Sequence, residues 1–338
     1  MSRPTVHDVA KIANVSLATV DRVLNNRGGV AQKSLKKVHA AIEQTGYVRD
    51  ISAANLSRRR EYRFAFILPD TASGFVGLLR AELNAEQKRL HQDKVQIEII
   101  ETRAFDTASQ VAALRALSAK TTDGVAMIAA QSTEVQTEIK RLRAENVSVL
   151  TLVSDLPLSE RNAYVGPDNV AAGRTAAAFL GRFVRAPSGT VLMVAGSLSA
   201  RDHMERVMGF RATMAERFPH LTLLPAAQGF DSAQTVEKLV KNARETTPLV
   251  GVYSVGAGSR GMLRALSGSA PRPVTIVHEL TDNTRAALQS EDIDLVIDQN
   301  PAAEVRAAVS LMRDLSDKRQ VDLTRGTIPL NIFVRENV

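Results

Sequence analysis

From Arg63 onward the chain alternates short apolar runs with amphipathic stretches, and this alternation restricts it to one broad architecture. Phe64–Leu68, Val95–Ile100, Gly124–Ile128, Ser148–Val153, Thr190–Ala195, Leu221–Leu224, Leu249–Val255, Pro273–Val277 and Leu295–Ile297 have the length and apolar content of buried strands. Between most of them lie helix-like stretches such as Val76–Leu90, Ser109–Lys120, Val170–Phe183 and Asp231–Arg244. Strands and helices alternating at this interval predict parallel sheets with helices on both faces. The 275 residues after Arg63 exceed what one core usually covers, so two lobes are expected. A polar break near 156–162, containing Pro157, divides them, and the chain re-crosses near 300 and 326. A last strand, Ile328–Val334, returns across the hinge.

The first 60 residues follow different rules. In Thr5–Asn25, Val6, Val9, Ala10 and Ala13 recur at helical spacing behind Thr5, with Asp8 placed to complete a capping box. Asn14 and Val15 make a turn. Ser16 then caps a second helix burying Val20, Val23 and Leu24, and a third, Lys33–Gln44, offers Leu35, Val38 and Ile42. Two short helices joined by so tight a turn are the geometry that places a second helix in the DNA major groove. Charge agrees. Residues 1–63 hold twelve Lys or Arg against five Asp or Glu, a net +7, equal to the net charge of the whole chain. The remaining 275 residues sum to zero, so all the excess positive charge sits where phosphates would be met.

The stretch V-H-D-V-A-K-I-A-N-V-S-L-A-T-V-D-R-V-L-N resembles the headpiece of the lactose/galactose repressor family. The expected organisation is an all-α helix-turn-helix headpiece (1–48), a hinge (49–62) and a two-lobed α/β domain with parallel sheets like the periplasmic sugar-binding proteins (63–338). The resemblance implies that Leu17, Ala18 and Arg22 face base edges. Arg22 can fork onto guanine O6 and N7, whereas Leu17 and Ala18 can only pack on a thymine methyl. Thr5, Ser16, Thr19 and Asn25 are expected at phosphates, and Leu56 as a minor-groove wedge. Asp21 departs from the Ser common in the family. The implied protein is a non-enzymatic, cytoplasmic transcriptional repressor. It would be a homodimer on a palindromic duplex operator, controlled by a small sugar or polyol.

Several other classes are excluded or unsupported. No apolar run is long enough to span a membrane, and no signal-peptide core follows the polar start. With no cysteine, disulfides and thiolate metal sites are ruled out, and the six histidines lack metal-ligand spacing. Neither metal nor cofactor is implied.

Ligands of open parallel sheets bind beyond the carboxyl ends of strands. The residues there are rich in groups suited to hydroxyls: Asp70, Phe75, Asp155, Asp202, Arg206, Ser254, Glu279 and Gln299. The family resemblance implies ligand roles for Arg206, Glu279 and Gln299 in particular. Sugar-binding relatives place Asn-Asp where this chain has Val255-Gly256, which moves polar duty to Ser254 or Ser259. One motif favours a different class. Gly256, Gly258 and Gly261 spell G-x-G-x-x-G between a strand and a helix, with Glu279 at the distance of a ribose-binding acid. The alternative is therefore an NAD(P)-dependent oxidoreductase. Against it, the motif lies late in the chain, and the basic headpiece would be left without a role.

Overall fold

The computed structural model describes residues 4–24, 29–45, 47, 61–71, 74–256 and 258–338. The chain forms two compact units, 1–60 and 61–338.

In the first unit, helix α1 (Val6–Ala13) starts at the expected capping box: the Asp8 amide donates to Thr5 Oγ1, and the Thr5 amide donates to Asp8 Oδ2. Asn14 ends it in the left-handed region, and α2 (Leu17–Leu24) follows with Ser16 Oγ accepting from the Thr19 amide. Such caps each contribute about 1 kcal/mol, much of what a helix of eight residues needs. Helix α3 (Gln32–Thr45) closes the unit over Val9, Ala10, Val20, Val23, Val38 and Ala41. Leu35, expected in this core, is instead exposed; Ala41 occupies the buried stripe.

The second unit holds two sheets. The first contains β1 (Tyr62–Pro69), β2 (Val95–Thr102), β3 (Gly124–Met127), β4 (Ser148–Leu152) and β5 (Ala163–Val165), all parallel in the order β2-β1-β3-β4-β5. Helices α4 (Gly74–Leu90), α5 (Thr107–Ala116) and α6 (Thr133–Ala144) flank it. The second sheet has β6 (Gly189–Ala195), β7 (Leu221–Leu223), β8 (Ala227–Gln228), β9 (Leu249–Ser254), β10 (Val274–His278), β11 (Leu295–Asp298) and β12 (Asn331–Phe333). Its order is β12-β11-β10-β9-β6-β7, with β8 also on β6 and only β12 antiparallel. Its helices are α7 (Asn169–Phe183), α8 (Arg201–Arg217), α9 (Ala233–Thr246), α10 (Ser259–Leu266) and α11 (Asp282–Gln289).

The break expected at 156–162 lies too early. β5 still pairs with β4, so the chain leaves the first lobe only at 166–168. Three residues of strand gave too short an apolar run to be read from sequence. A second crossing follows at 299–300, after which α12 (Pro301–Ser316) packs on the first sheet through Val305, Ala308, Val309, Leu311 and Met312. The third crossing precedes β12. The crossings are tied together where Gly166 bonds to Gly326 and Ile328, at 2.9 and 3.0 Å. Ser109–Lys120 also proves too long, since Leu117 adopts an extended conformation at the end of α5.

Candidate functional site

The carboxyl ends of both sheets border one cavity of about 770 Å³, lined from both lobes. The first lobe contributes Phe75, Phe105, Gln110, Gln131, Val153 and Ser154. The second contributes Asp202, His203, Arg206, Asp231, Arg260, Asn283 and Glu279, and Gln299 at the second crossing completes the lining.

Arg206 lies at the centre of the polar wall. It is only 2% exposed. Its position depends on an unusually close helix pair: a Cβ at Gly173 of α7 would collide with the Arg206 carbonyl oxygen, and one at Gly209 of α8 with that of Val170. Bare backbone on both helices lets them touch, which aims Arg206 past α7. Its Nε donates to Asn169 Oδ1 (2.9 Å) and Nη1 to the Val255 carbonyl (3.0 Å), while Nη2 is buried without a partner. Asn169 is held in turn by the Val153 carbonyl, which makes it a positioning residue; its neighbour Asp168 caps α7.

Glu279 follows β10 with φ +72° and Val153 follows β4 with φ +60°, both in the left-handed region that non-glycine residues avoid. Strain of this kind costs on the order of 1–3 kcal/mol per residue and gathers where geometry serves binding. Glu279 Oε1 accepts from Gln299 Nε2, whereas Oε2 is buried and unpartnered, as are Gln299 Oε1 and Ser154 Oγ. Burial, reinforced by the neighbouring Asp298 carboxyl, pushes Glu279 up to about 8. His278 Nε2 meets the Tyr253 hydroxyl at 2.8 Å. Burial, with Arg206 and His203 nearby, pulls its pKa well below the ordinary value, so it is neutral.

Of the cleft residues expected from sequence, Phe75, Asp202, Arg206, Glu279 and Gln299 are brought together. Asp70, Asp155 and Ser254 are not, because local partners take them. Asp70 accepts from the Ala104 amide, and Ser254 donates to the Gly256 carbonyl from a fully buried position. Asp155 is bound by Arg161 and Thr151. Burial pushes the Asp155 carboxyl up, but these contacts outweigh it and hold the pKa below the ordinary value.

The G-x-G-x-x-G loop has packing reasons for its glycines. A Cβ at Gly261 would strike the Ala233 carbonyl of α9, and one at Gly258 the Val236 side chain. The glycines seat α10 against α9, so the motif is no sign of a dinucleotide site. Arg260, just beyond Gly258, lines the cavity. With its amide oriented to accept, Asn283 takes hydrogen bonds from Arg260 at 2.6 and 3.0 Å.

In the first unit α2 leaves Leu17, Ala18 and Arg22 exposed along one side, with Ser16 beside them. Thr5 and Ser16 use their hydroxyls in the caps while staying at the surface, and Thr19 is half-buried against Ser16. Asn25 and Leu56 lie outside the described residues.

A family model described as bacterial regulatory proteins, lacI family, matches residues 5–50, and one described as a periplasmic binding protein domain matches residues 64–320. The chain is 27% identical over 215 residues to the HTH-type transcriptional regulator DegA of Bacillus subtilis, covering 63% of this chain and about three fifths (61%) of that protein. It is 24% identical over 345 residues to catabolite control protein A of Priestia megaterium, covering 98% of each. Among solved structures, GanP, a glucose-galactose binding protein from Geobacillus stearothermophilus, superposes with a TM-score of 0.73 at 20% identity. That match covers 82% of this chain and 99% of GanP, a likeness of fold.

Proposed function

Because the chain belongs to the periplasmic binding protein domain family over residues 64–320 and matches the lacI family of bacterial regulatory proteins over residues 5–50, we propose that it is a transcriptional repressor controlled by a small polyol or sugar. The ligand would bind between the two lobes. The observation that carries this reading is the cleft: unpartnered buried donors and acceptors from Arg206, Glu279, Gln299 and Ser154 converge beside Phe75. Hydroxyls both donate and accept, and an aromatic face suits the apolar side of a sugar ring.

In this reading Arg22 reads a guanine while Leu17 and Ala18 touch methyl groups. Thr5, Ser16, Thr19 and Asn25 set the register on phosphates, and Leu56 enters the minor groove. A homodimer presents two headpieces to a palindromic operator in the cytoplasm, about one helical turn apart. Ligand binding changes the angle between lobes at the three crossings, and residues 49–60 pass that change to the headpiece. The coupling is limited by the ligand's differential affinity for the two lobe arrangements, commonly about 1–3 kcal/mol.

The test is selection of bound duplexes from a random pool at near-physiological salt, with the Arg22→Ala protein in parallel. Enrichment of a two-fold symmetric site, lost in the variant, is expected. Equal loss of specific and nonspecific binding would remove Arg22 from base reading.

A further inference from the structure

We propose that the ligand taken between the lobes is a hydroxylated amine, its cationic nitrogen held by the Glu279 carboxyl with the Glu304 carboxyl behind it. This rests on the reading of the cleft as a polyol site and narrows it.

The wall of the cleft and the layer behind it hold more carboxyls than cations. Asp202 on α8, Glu279 after β10, Asp298 ending β11 and Glu304 in the first turn of α12 are all buried. Among the described residues Arg206 is the one Lys or Arg that is buried with them. The other guanidinium lining the cavity, Arg260, stands on α10 and is engaged by Asn283. Four carboxyls thus face one buried cation. Also packed around the cluster are Tyr164 on β5, His203 on α8, Tyr253 on β9 and His278 on β10. Burial raises the Tyr164 and Tyr253 hydroxyl pKa values, which keeps both protonated and uncharged, and His278 is held neutral.

The unpartnered atoms have the same bias. Glu304 is wholly buried and neither of its oxygens has a partner. Glu279 Oε2, Gln299 Oε1 and Ser154 Oγ are also unpartnered, whereas the unpartnered nitrogens beside them are Arg206 Nη2 and His278 Nδ1. A neutral hydroxyl would satisfy some of these oxygens without altering the charge. An ammonium group brings donors, no acceptor, and one positive charge. In the empty cleft burial keeps protons on both glutamates: Glu279 is pushed up to about 8, with Asp298 adding to the effect, and Glu304 well above its ordinary value, with Glu279 adding to it. When the ammonium enters, the Glu279 proton leaves to solvent and the carboxylate pairs with the cation. Binding therefore releases a proton.

The full chain is titrated calorimetrically at pH 7 with matched pairs: D-galactosamine and D-galactose, D-glucosamine and D-glucose, 2-amino-1,3-propanediol and glycerol. Each titration is run in phosphate and in MOPS, whose differing ionisation heats report proton release. The amine member of a binding pair is expected to bind about tenfold tighter or more, as a hydrogen-bonded charge does over a neutral group, and to release a proton. Glu279→Gln, isosteric and uncharged, should bring the two members of the pair together and end the proton release, with a urea midpoint confirming that it folds. Neutral members binding as well as the amines, without proton release, overturn the amine proposal and leave the polyol reading standing. Binding by no member overturns both. An undiminished preference in Glu279→Gln overturns the assignment of the cation to that carboxyl.

Discussion

Glu279→Gln should make the protein more stable, and increasingly so as pH rises. The Glu279 carboxyl stands at about 8 in the folded protein against an ordinary value of 4.5, chiefly through burial. Its folded pKa is raised, so it is protonated in both states below pH 4.5 and affects stability little there. Between 4.5 and about 8 the unfolded chain gives up the proton while the folded chain keeps it. Stability then falls by about 1.4 kcal/mol for each pH unit, to a total of about 5 kcal/mol above pH 8. Glutamine has the same shape, can still bond Gln299, and never ionises, so the variant escapes this loss. Water admitted by opening of the cleft reduces the figure, yet half of it remains easily measured. The assay is urea unfolding by circular dichroism, as the chain has no Trp, for both proteins from pH 4 to 9 at one protein concentration. The difference between them isolates this group from Glu304 and from His278, whose lowered pKa works in the opposite direction. A difference as large at pH 5 as at pH 8 would refute the argument, because the folded carboxyl would then ionise normally.

Arg206→Ala should cost about 1.5–3 kcal/mol for each charged hydrogen bond it removes, to Asn169 Oδ1 and to the Val255 carbonyl, and should abolish any ligand response; a retained response in a DNA-binding assay excludes Arg206 from the site. Gly209→Ala should cost about 1–3 kcal/mol by forcing α8 from α7, whereas Gly77→Ala in open space within α4 should add about 0.5–1 kcal/mol; equal urea midpoints would contradict the close-approach argument. Asp155→Asn should lose about 1.5–3 kcal/mol near neutral pH while ligand affinity stays unchanged. Because the folded pKa of Asp155 is depressed, its contribution is present above 3.8 and disappears as pH falls through the folded value. Loss of ligand binding in this variant would return Asp155 to the cleft.

Most of this architecture is legible in the sequence because its strands are buried on both faces and read as continuous apolar runs, as at Phe64–Leu68 and Leu249–Val255. β5 and β8, three and two residues long, leave no such trace. The headpiece is legible for another reason: its caps are side-chain events, and Thr5, Asp8 and Ser16 do what their spacing says. The cleft is half legible. Sequence says which residues follow a strand end but not which way they turn, and a short polar side chain often bonds its own loop first. Asp155 and Ser254 do so, while Asp70 is taken by the Ala104 amide after the neighbouring strand. Arg206 stays available because its bonds to Asn169 and Val255 still leave one nitrogen over. Glu304 had a signal that went unread: it shares an apolar helical face with Ala308, Leu311 and Leu315, where a carboxylate has no ordinary reason to be.

The groups that lower the stability of the empty protein are the ones a ligand would engage. Strained backbone at Val153 and Glu279 and unpartnered atoms on Arg206, Glu279, Gln299 and Ser154 all lie at the cavity. A ligand that satisfies them stabilises the arrangement it binds by RT ln(1 + [L]/Kd), about 2.7 kcal/mol at a hundredfold excess over Kd. That is the same size as the coupling needed to shift an operator equilibrium. A cleft whose polar atoms were already paired internally would be more stable and would hold a ligand less selectively. It would also have little differential affinity to pass to the headpiece. Substitutions that relieve the empty cleft, Glu279→Gln first among them, should therefore raise thermal stability and weaken the ligand's effect on DNA binding together. A variant that gained stability at this wall while keeping its full ligand response would break that link.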